Sequence, residues 1–406
     1  MHIGIVGPIA SADISHLIQG EVTTLPVGYE GAPLLATLIA ELLKQGHRVS
    51  AFTLSDDIPL DGGAVVVRGN NFSLSYYPMR LRAWRFNGLR IGRILDLFGF
   101  EREQLQRAIL QTAPEVLHAH WTYEFALAAQ QTGLPCVVTC HDSPYKVARF
   151  YSRAKPTQSL YRWLRAVMAR KVLLKSRSVT AVSPYMRDEV QGMTRMPISV
   201  IPNPVDAFAL TLGKVRTAPA SPRFAMVCNG WQALKNPQPA MQAYARFRAS
   251  HSEVELHLYG RDFGIGQTAE AWAKQQGIAD GMVFHGAVPH RQLLEAVSNT
   301  DLLLHPSLEE SFGMSIAEAM AMGLPIVAGE CSGAVPWVVG EGGVLCDVSQ
   351  EQAIYQAIEH VLTPDNYMRY SQAARARVES MFTVGAVAAA YLAIYQAAIE
   401  KERVTC

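Results

Sequence analysis

Short β-rich runs alternate with amphipathic helical stretches along nearly the whole chain, in two separate series. In the first, strands are expected over residues 2–7, 48–53, 64–68, 116–119, 135–140, 178–181 and 198–201. Helices are expected between them over 32–44, 102–111, 122–131, 159–174 and 184–191. Such alternation implies βα units on a largely parallel sheet, because parallel neighbours need a crossover and a helix supplies it. Small residues and prolines then dominate from Asn203 to Pro222, as at a domain boundary. The second series has strands expected over 223–228, 254–259, 282–285, 301–305 and 325–328. Its helices are expected over 237–249, 266–276, 291–298 and 311–322, followed by 350–362, 366–380 and 384–400.

The length of 406 residues exceeds one ordinary core and suits two domains. Apolar residues make up 49% of the chain, enough to fill both. Lysine and arginine (36) balance aspartate and glutamate (35), which argues against a general nucleic-acid binder. The opening MHIGIVGPI lacks a basic leader and reads as a buried strand, and no run of 18 uncharged apolar residues suggests a membrane span. The six cysteines form no disulfide framework, so a reducing cytoplasm is expected. Cys140-His141 has no further ligands at zinc spacing, so no metal is expected.

The sharpest local feature is HPSLEESFGMSIAEAMAMGLPIV, residues 305 to 327. It reads as strand end, loop, helix, glycine stop and next strand. Glu310 falls in the loop and Glu318 about two turns into the helix. A helix start offers free N–H groups to phosphate, and a carboxylate accepts from two adjacent sugar hydroxyls. On spacing alone, two solvated acids flanking an amphipathic helix fit equally well.

The wider pattern, Glu310-Ser311-Phe312-Gly313 then Glu318-Ala319-Met320, with Pro306-Ser307 before and Gly323-Leu324-Pro325 after, resembles the signature of the retaining family 4 glycosyltransferases, also called group 1. That resemblance implies an α/β GT-B fold: two Rossmann-like domains facing each other across a cleft. Residues 1–205 would bind the acceptor and 206–380 the nucleotide-sugar donor. Residues 381–406 would form a helix packing back on the first domain. It also implies that Glu318 holds the donor ribose, that Glu310 touches the donor sugar, and that the amides of Phe312, Gly313 and Met314 meet sugar or phosphate.

Other landmarks fall where this family places its ligands. Gly28 and Gly31 precede the first helix and match its phosphate-side glycine loop, although a plain turn fits as well. Lys235 follows the first strand of the second series, where a lysine would neutralise a donor diphosphate. The family carries an arginine five residues earlier; here that position is Gly230, and Arg261, Arg149 or Lys146 are candidates to replace the charge. His141 ends a strand and matches the family's sugar-contacting histidine, with Asp142 beside it as an orienting group. His118 and His120 suit either a core or a site, with His120 the nearer to the cleft. Trp121 and Tyr123 suit acceptor stacking or core packing, and Arg149 is a further acceptor-side candidate. The turn Glu330 to Ala334 is followed by Pro336-Trp337 where the family often has Pro-Glu, so base preference is not carried over.

Two stretches mix basic and apolar residues: one holds Arg80, Arg82, Arg85, Arg90 and Arg93, the other Arg162, Arg165, Arg170, Lys171 and Lys175. They suit an anionic bilayer, an acceptor phosphate, or a solvated face over an apolar packing surface. The expected activity is sugar transfer from a UDP- or GDP-sugar to a saccharide or lipid-linked acceptor, without cofactor or metal. The resemblance implies front-side attack with retention rather than a carboxylate nucleophile. Expected partners include no nucleic acid. The expected location is cytoplasmic, with peripheral contact to the inner membrane as the variant the basic stretches allow. A catalytically impaired sugar-nucleotide binder, or a sugar-nucleotide epimerase or hydrolase, are the alternatives.

Overall fold

The computed structural model describes residues 1–19, 25–29, 31–151, 155–214 and 216–405. The chain forms two compact units, one of Met1–Pro204 together with the residues from Val384 on, the other Val205–Thr383.

The first unit is built on an eight-stranded sheet. Its strands are β1 (His2–Val6), β2 (Arg48–Ser55), β3 (Val65–Gly69), β4 (Phe72–Pro78), β5 (Val116–His120), β6 (Cys136–Cys140), β7 (Ser178–Ala181) and β8 (Ile198–Val200). Their order is β3-β4-β2-β1-β5-β6-β7-β8, and every pairing is parallel except β3 with β4. The central strands are buried on both faces, which is why they read as near-continuous apolar runs. Strand β4 was not expected from the sequence. Its signal is Asn70-Asn71, a two-residue hairpin turn in which Asn71 has φ 53°. Beyond that turn Phe72, Leu74 and Tyr76 enter the core.

The last helix, Val384–Thr405, completes this core. Ala388, Tyr391, Tyr395 and Ala398 recur at helical spacing and join one buried cluster with Leu35, Leu38 and Ile39 of the helix Pro33–Lys44.

The second unit holds a six-stranded, wholly parallel sheet: β9 (Arg223–Val227), β10 (Glu255–Tyr259), β11 (Met282–Gly286), β12 (Leu302–His305), β13 (Ile326–Gly329) and β14 (Gly343–Cys346). The order is β11-β10-β9-β12-β13-β14. The chain runs outward from β9 on one side through β10 and β11, then returns to β12 on the other. The gap between β9 and β12 is therefore a topological switch point, where the loops leaving neighbouring strands diverge and open a crevice. In the first unit β1 and β5 flank the equivalent point.

Three expectations change. The stretch 203–222 is not a bare linker: Asp206 caps a short helix, Ala207–Thr211. Within it Arg216 is buried and donates to the carbonyls of Met322, Thr300 and Ser298, tying down the ends of two helices. The helix expected over 311–322 starts only at Met314, because Gly313 has φ 97° and caps it. Glu318 is therefore the fifth helical residue, little more than one turn in. Arg80, grouped above with the basic surface, is instead buried between Glu101 (2.6 Å) and Asp96 (2.8 Å).

Candidate active site

The loops after β9 and β12 leave the two strands that flank the switch point. The first turns back through a hydrogen bond from Lys235 N to Gln232 O, and Asn236 takes φ 47° before the helix Pro237–Ser250. Asn236 Nδ2 donates to the carbonyls of Pro306 and Val348, and Leu308 N donates to Leu234 O. These bonds fasten the two loops together.

Lys235 and Glu310 thereby meet: Nζ lies 2.6 Å from Oε1, with both side chains partly buried. His305, the last residue of β12, stands 3.4 Å from the same oxygen. Burial alone would raise the Glu310 carboxyl, but His305 and Lys235 outweigh it and hold it down at about 2. Burial likewise works against the Lys235 charge, and Glu310 more than offsets it, so its pKa is raised. At neutral pH this is an ion pair. The main chain of Glu310 bridges to Gly333, and Ala334 N donates to Glu310 O, which draws in the turn 330–334.

Past Glu310 the chain buries Phe312 edge-on against Trp337 and Phe382, leaving its backbone as the part available to a ligand. Gly313 then opens the helix Met314–Ala321. Glu318 is almost fully buried, and its Oε1 lies 2.8 Å from His290 Nε2. His290 opens the helix His290–Ser298 after β11. The sequence reading missed both His290 and the role of His305. Each sits just past or at the end of a parallel strand, and that position is the signal that could have found them.

Gly230 has φ 106°, a conformation an arginine side chain would strain against. Its N–H donates to the carbonyl of Arg261, 3.1 Å away, and Trp231 N donates to Asp262. The next loop, after β10, thus lies beside Gly230 and carries Arg261, whose side chain is exposed. Lys146, another of the candidates for that charge, hydrogen-bonds Tyr185 and pairs with Glu189 at 3.2 Å in the first unit.

In the first unit His118, His120 and His141 form a buried line. His118 bonds Tyr395 (2.7 Å) and Thr139 (2.6 Å), and its ring lies 3.9 Å from that of His120, tilted by 37°. His120 Nδ1 lies 2.9 Å from His141 Nε2, while its own Nε2 is buried without a partner. Trp121, with φ 65°, stacks on His141 at 4.2 Å. Burial pushes His118 and His120 well below their ordinary value and His141 to about 3, so all three are neutral at physiological pH. Asp142 does not orient His141. It accepts from Tyr123 Oη at 3.1 Å on both oxygens. Arg165 covers the Tyr123 ring at 3.9 Å and pairs with Glu124 at 3.0 Å, and Tyr123 is itself buried. Arg149 lies exposed on the helix Pro144–Phe150.

Gly28 has φ 77°, and a β-carbon there would strike the Ile9 carbonyl. Gly31 has φ 109° with nothing within 4 Å of its β position, an opening at the start of the helix Pro33–Lys44. Glu30, between them, lies outside the described residues. No group of three or more His, Cys, Asp or Glu among the described residues is placed to hold a metal ion.

Comparisons with known proteins bear on the family and the fold. Residues 216–377 match the family "Glycosyl transferases group 1", and residues 33–207 match "Glycosyltransferase Family 4". A glycogen synthase of Mycobacterium tuberculosis (strain CDC 1551 / Oshkosh) is 28% identical over 311 residues, covering 71% of this chain and 70% of that protein. A sucrose-phosphate synthase of Thermosynechococcus elongatus superposes with TM-score 0.74 at 19% identity, over 98% of both chains. The catalytic domain of starch synthase IV of Arabidopsis thaliana, bound to ADP and acarbose, superposes with TM-score 0.66 at 15% identity, over 98% of this chain and 99% of that one. With one family pattern matched in each unit and the fold shared across nearly the full length, the chain belongs to the group 1 glycosyltransferases of GT-B fold.

Proposed function

We propose that the protein transfers a sugar from a nucleoside-diphosphate sugar to a hydroxyl of a saccharide or lipid-linked saccharide, keeping the anomeric configuration. The observation that carries this reading is the pairing of Lys235 with Glu310 and of His290 with Glu318 on loops and helices that leave β9, β11 and β12. Glu318 accepts from the ribose hydroxyls. Its carboxylate has about four acceptor positions, and His290 takes one of them. Lys235 neutralises the diphosphate, and the N–H groups of Phe312, Gly313 and Met314 add partial positive charge. Arg261 takes the part of the arginine absent at Gly230. Glu310, held ionised, accepts from hydroxyls of the donor sugar. The first unit supplies acceptor and sugar contacts from His141, His120, Trp121 and Arg149, and backbone approach at Gly28 and Gly31.

In the transfer the acceptor oxygen forms a bond to the anomeric carbon on the face from which the diphosphate leaves. The carbon–oxygen bond to the diphosphate breaks, and the departing phosphate takes the acceptor proton. This front-side reading gives Glu310 no part as nucleophile; its Oε1 faces Lys235 and His305. The experiment has two stages. A thermal-shift screen over uridine, guanosine and adenosine diphosphates and their sugars identifies the donor, with uridine or guanosine expected. The anomeric configuration of the product by NMR then tests retention; an inverted product overturns the mechanism. Donor binding with neither transfer nor hydrolysis would favour an impaired sugar-nucleotide binder, the reading that Gly230 supports.

A further inference from the structure

From Ser143 to Arg187 the chain carries eleven lysines and arginines and no aspartate or glutamate, although the whole protein is balanced at +1. Met79 to Leu95 adds five arginines, again without an acid. Several of these cations are spent on carboxylates: Arg80 on Asp96 and Glu101, Arg165 on Glu124, Lys146 on Glu189, Arg177 on Glu402 and Arg187 on Asp188. Arg82, Arg85, Arg90, Arg170, Lys171 and Lys175 are exposed, and none pairs with a carboxylate among the described residues.

The same stretches carry most of the exposed apolar surface. Of seventeen large apolar side chains that stand exposed among the described residues, eleven fall in them, so the grouping is not the usual scatter of single residues. On the helix Pro156–Lys175, Leu160, Trp163, Val167 and Leu174 form one outward stripe at helical spacing, with Arg170, Lys171 and Lys175 beside it. Tyr145 of the preceding helix extends the stripe, its ring 6.2 Å from Trp163. The loop 79–98 is held in shape by Arg80 and by Asn87, whose side chain bonds the main chain of Arg82 in both directions. From that frame Phe86 and Leu89 project into solvent. Helix and loop meet at Phe98, which lies under both Arg93 and Arg165.

We propose that the helix Pro156–Lys175 and the loop 79–98 form a docking surface for an anionic phospholipid bilayer. Cations alone would suit any polyanion. A row of exposed Leu, Trp and Val among them suits only a partner that is charged at its surface and apolar just beneath, as a headgroup layer is. No described helix is long and apolar enough to cross a membrane, so the contact is peripheral. The proposal deepens the lipid-linked branch of the acceptor reading, yet vesicle binding is read without nucleotide. It therefore stands or falls separately from sugar transfer.

The test is sedimentation of the full chain with vesicles of phosphatidylcholine alone, and of phosphatidylcholine with phosphatidylglycerol in equal parts. The wild type should pellet with the anionic vesicles, not the neutral ones, and salt should release it. Two variants change only exposed side chains: Trp163→Ser/Val167→Ser/Leu174→Ser, and Arg85→Gln/Arg170→Gln/Lys171→Gln. Each should weaken anionic-vesicle binding at least about tenfold while keeping the wild-type melting temperature. Failure of the wild type to pellet, or equal pelleting with both kinds of vesicle, overturns the proposal. Full binding by the triple serine variant would mark a site for soluble polyanions and overturn it too.

Discussion

Each unit holds a buried carboxylate just past the end of a strand, Glu310 in the second and Asp142 in the first, and the two are shifted in opposite directions. In the second, Glu310 is surrounded by Lys235 and His305, and its carboxyl is held at about 2 despite burial. In the first, Asp142 is buried beside a tyrosine hydroxyl, and burial pushes it up to about 6, with Arg165 pulling the other way. His118, His120 and His141 in the same unit are likewise driven neutral. One unit maintains fixed charge at its strand ends, as binding a diphosphate requires. The other keeps neutral imidazoles at its strand ends, donors and acceptors of the kind we propose for sugar hydroxyls. Similar parallel sheets thus carry contrasting electrostatics, and the difference comes from which side chains the strand-end loops bring together.

The contrast is broken most severely at Lys235. Lys235→Ala should lower kcat about a thousandfold, since in the proposed reaction its charge faces the leaving group and acts chiefly in the transition state. It also leaves Glu310 without its cation, so its melting temperature should fall. Lys235→Ala/Glu310→Gln should recover stability but not transfer, and recovery of transfer would contradict the assignment. Next comes the ribose contact proposed for Glu318. Glu318→Ala should raise the donor KM about a hundredfold, with a smaller change in kcat. His290→Ala should raise it about tenfold by leaving Glu318 unheld, whereas His290→Gln, which keeps an N–H donor, should stay near wild type. Equal KM values for the two His290 variants would rule out that role.

The opposed carboxylates give a smaller effect, read in stability against pH. Glu310 is depressed from its ordinary value of 4.5, so its contribution is full above that value and is lost as pH falls toward 2. Asp142 is raised from 3.8, so the folded state holds its proton more tightly, and stability falls as pH rises from about 4 to 6. Glu310→Gln should flatten the acid loss and Asp142→Asn the decline between pH 4 and 6. Melting curves across pH 2–7 check both, and identical profiles for the two variants would erase the contrast. Smallest is Tyr395→Phe. It removes one partner of His118 and should cost about 1 kcal/mol in denaturant unfolding without altering donor binding.

Much of this was legible in the chain before folding. The alternation located twelve of the fourteen strands, because fully buried parallel strands leave dense apolar runs. The stretch around Glu310 and Glu318 carried the family resemblance in its local pattern. What stayed hidden depends on pairing between distant residues. His290 meets Glu318 across 28 positions and Arg80 meets Glu101 across 21, and neither choice of partner is written in local sequence. Asp142 looked like a support for the adjacent His141, yet the fold turns it toward Tyr123. Strand β4 was lost because its alternation with serine resembles a loop, and Asn70-Asn71 was not read as a turn. Gly230 was visible as a missing arginine, but only its φ of 106° explains why no other side chain sits there comfortably.

The central claim is that the second unit binds the donor through Lys235 and Glu318. Calorimetric titration of the nucleoside diphosphate chosen by the screen, against wild type, Lys235→Ala, Glu318→Ala and His141→Ala, tests it most directly. Wild type and His141→Ala should bind alike, while Lys235→Ala and Glu318→Ala should each lose at least about tenfold in affinity. Undiminished binding by the last two, or a loss confined to His141→Ala, would contradict the account.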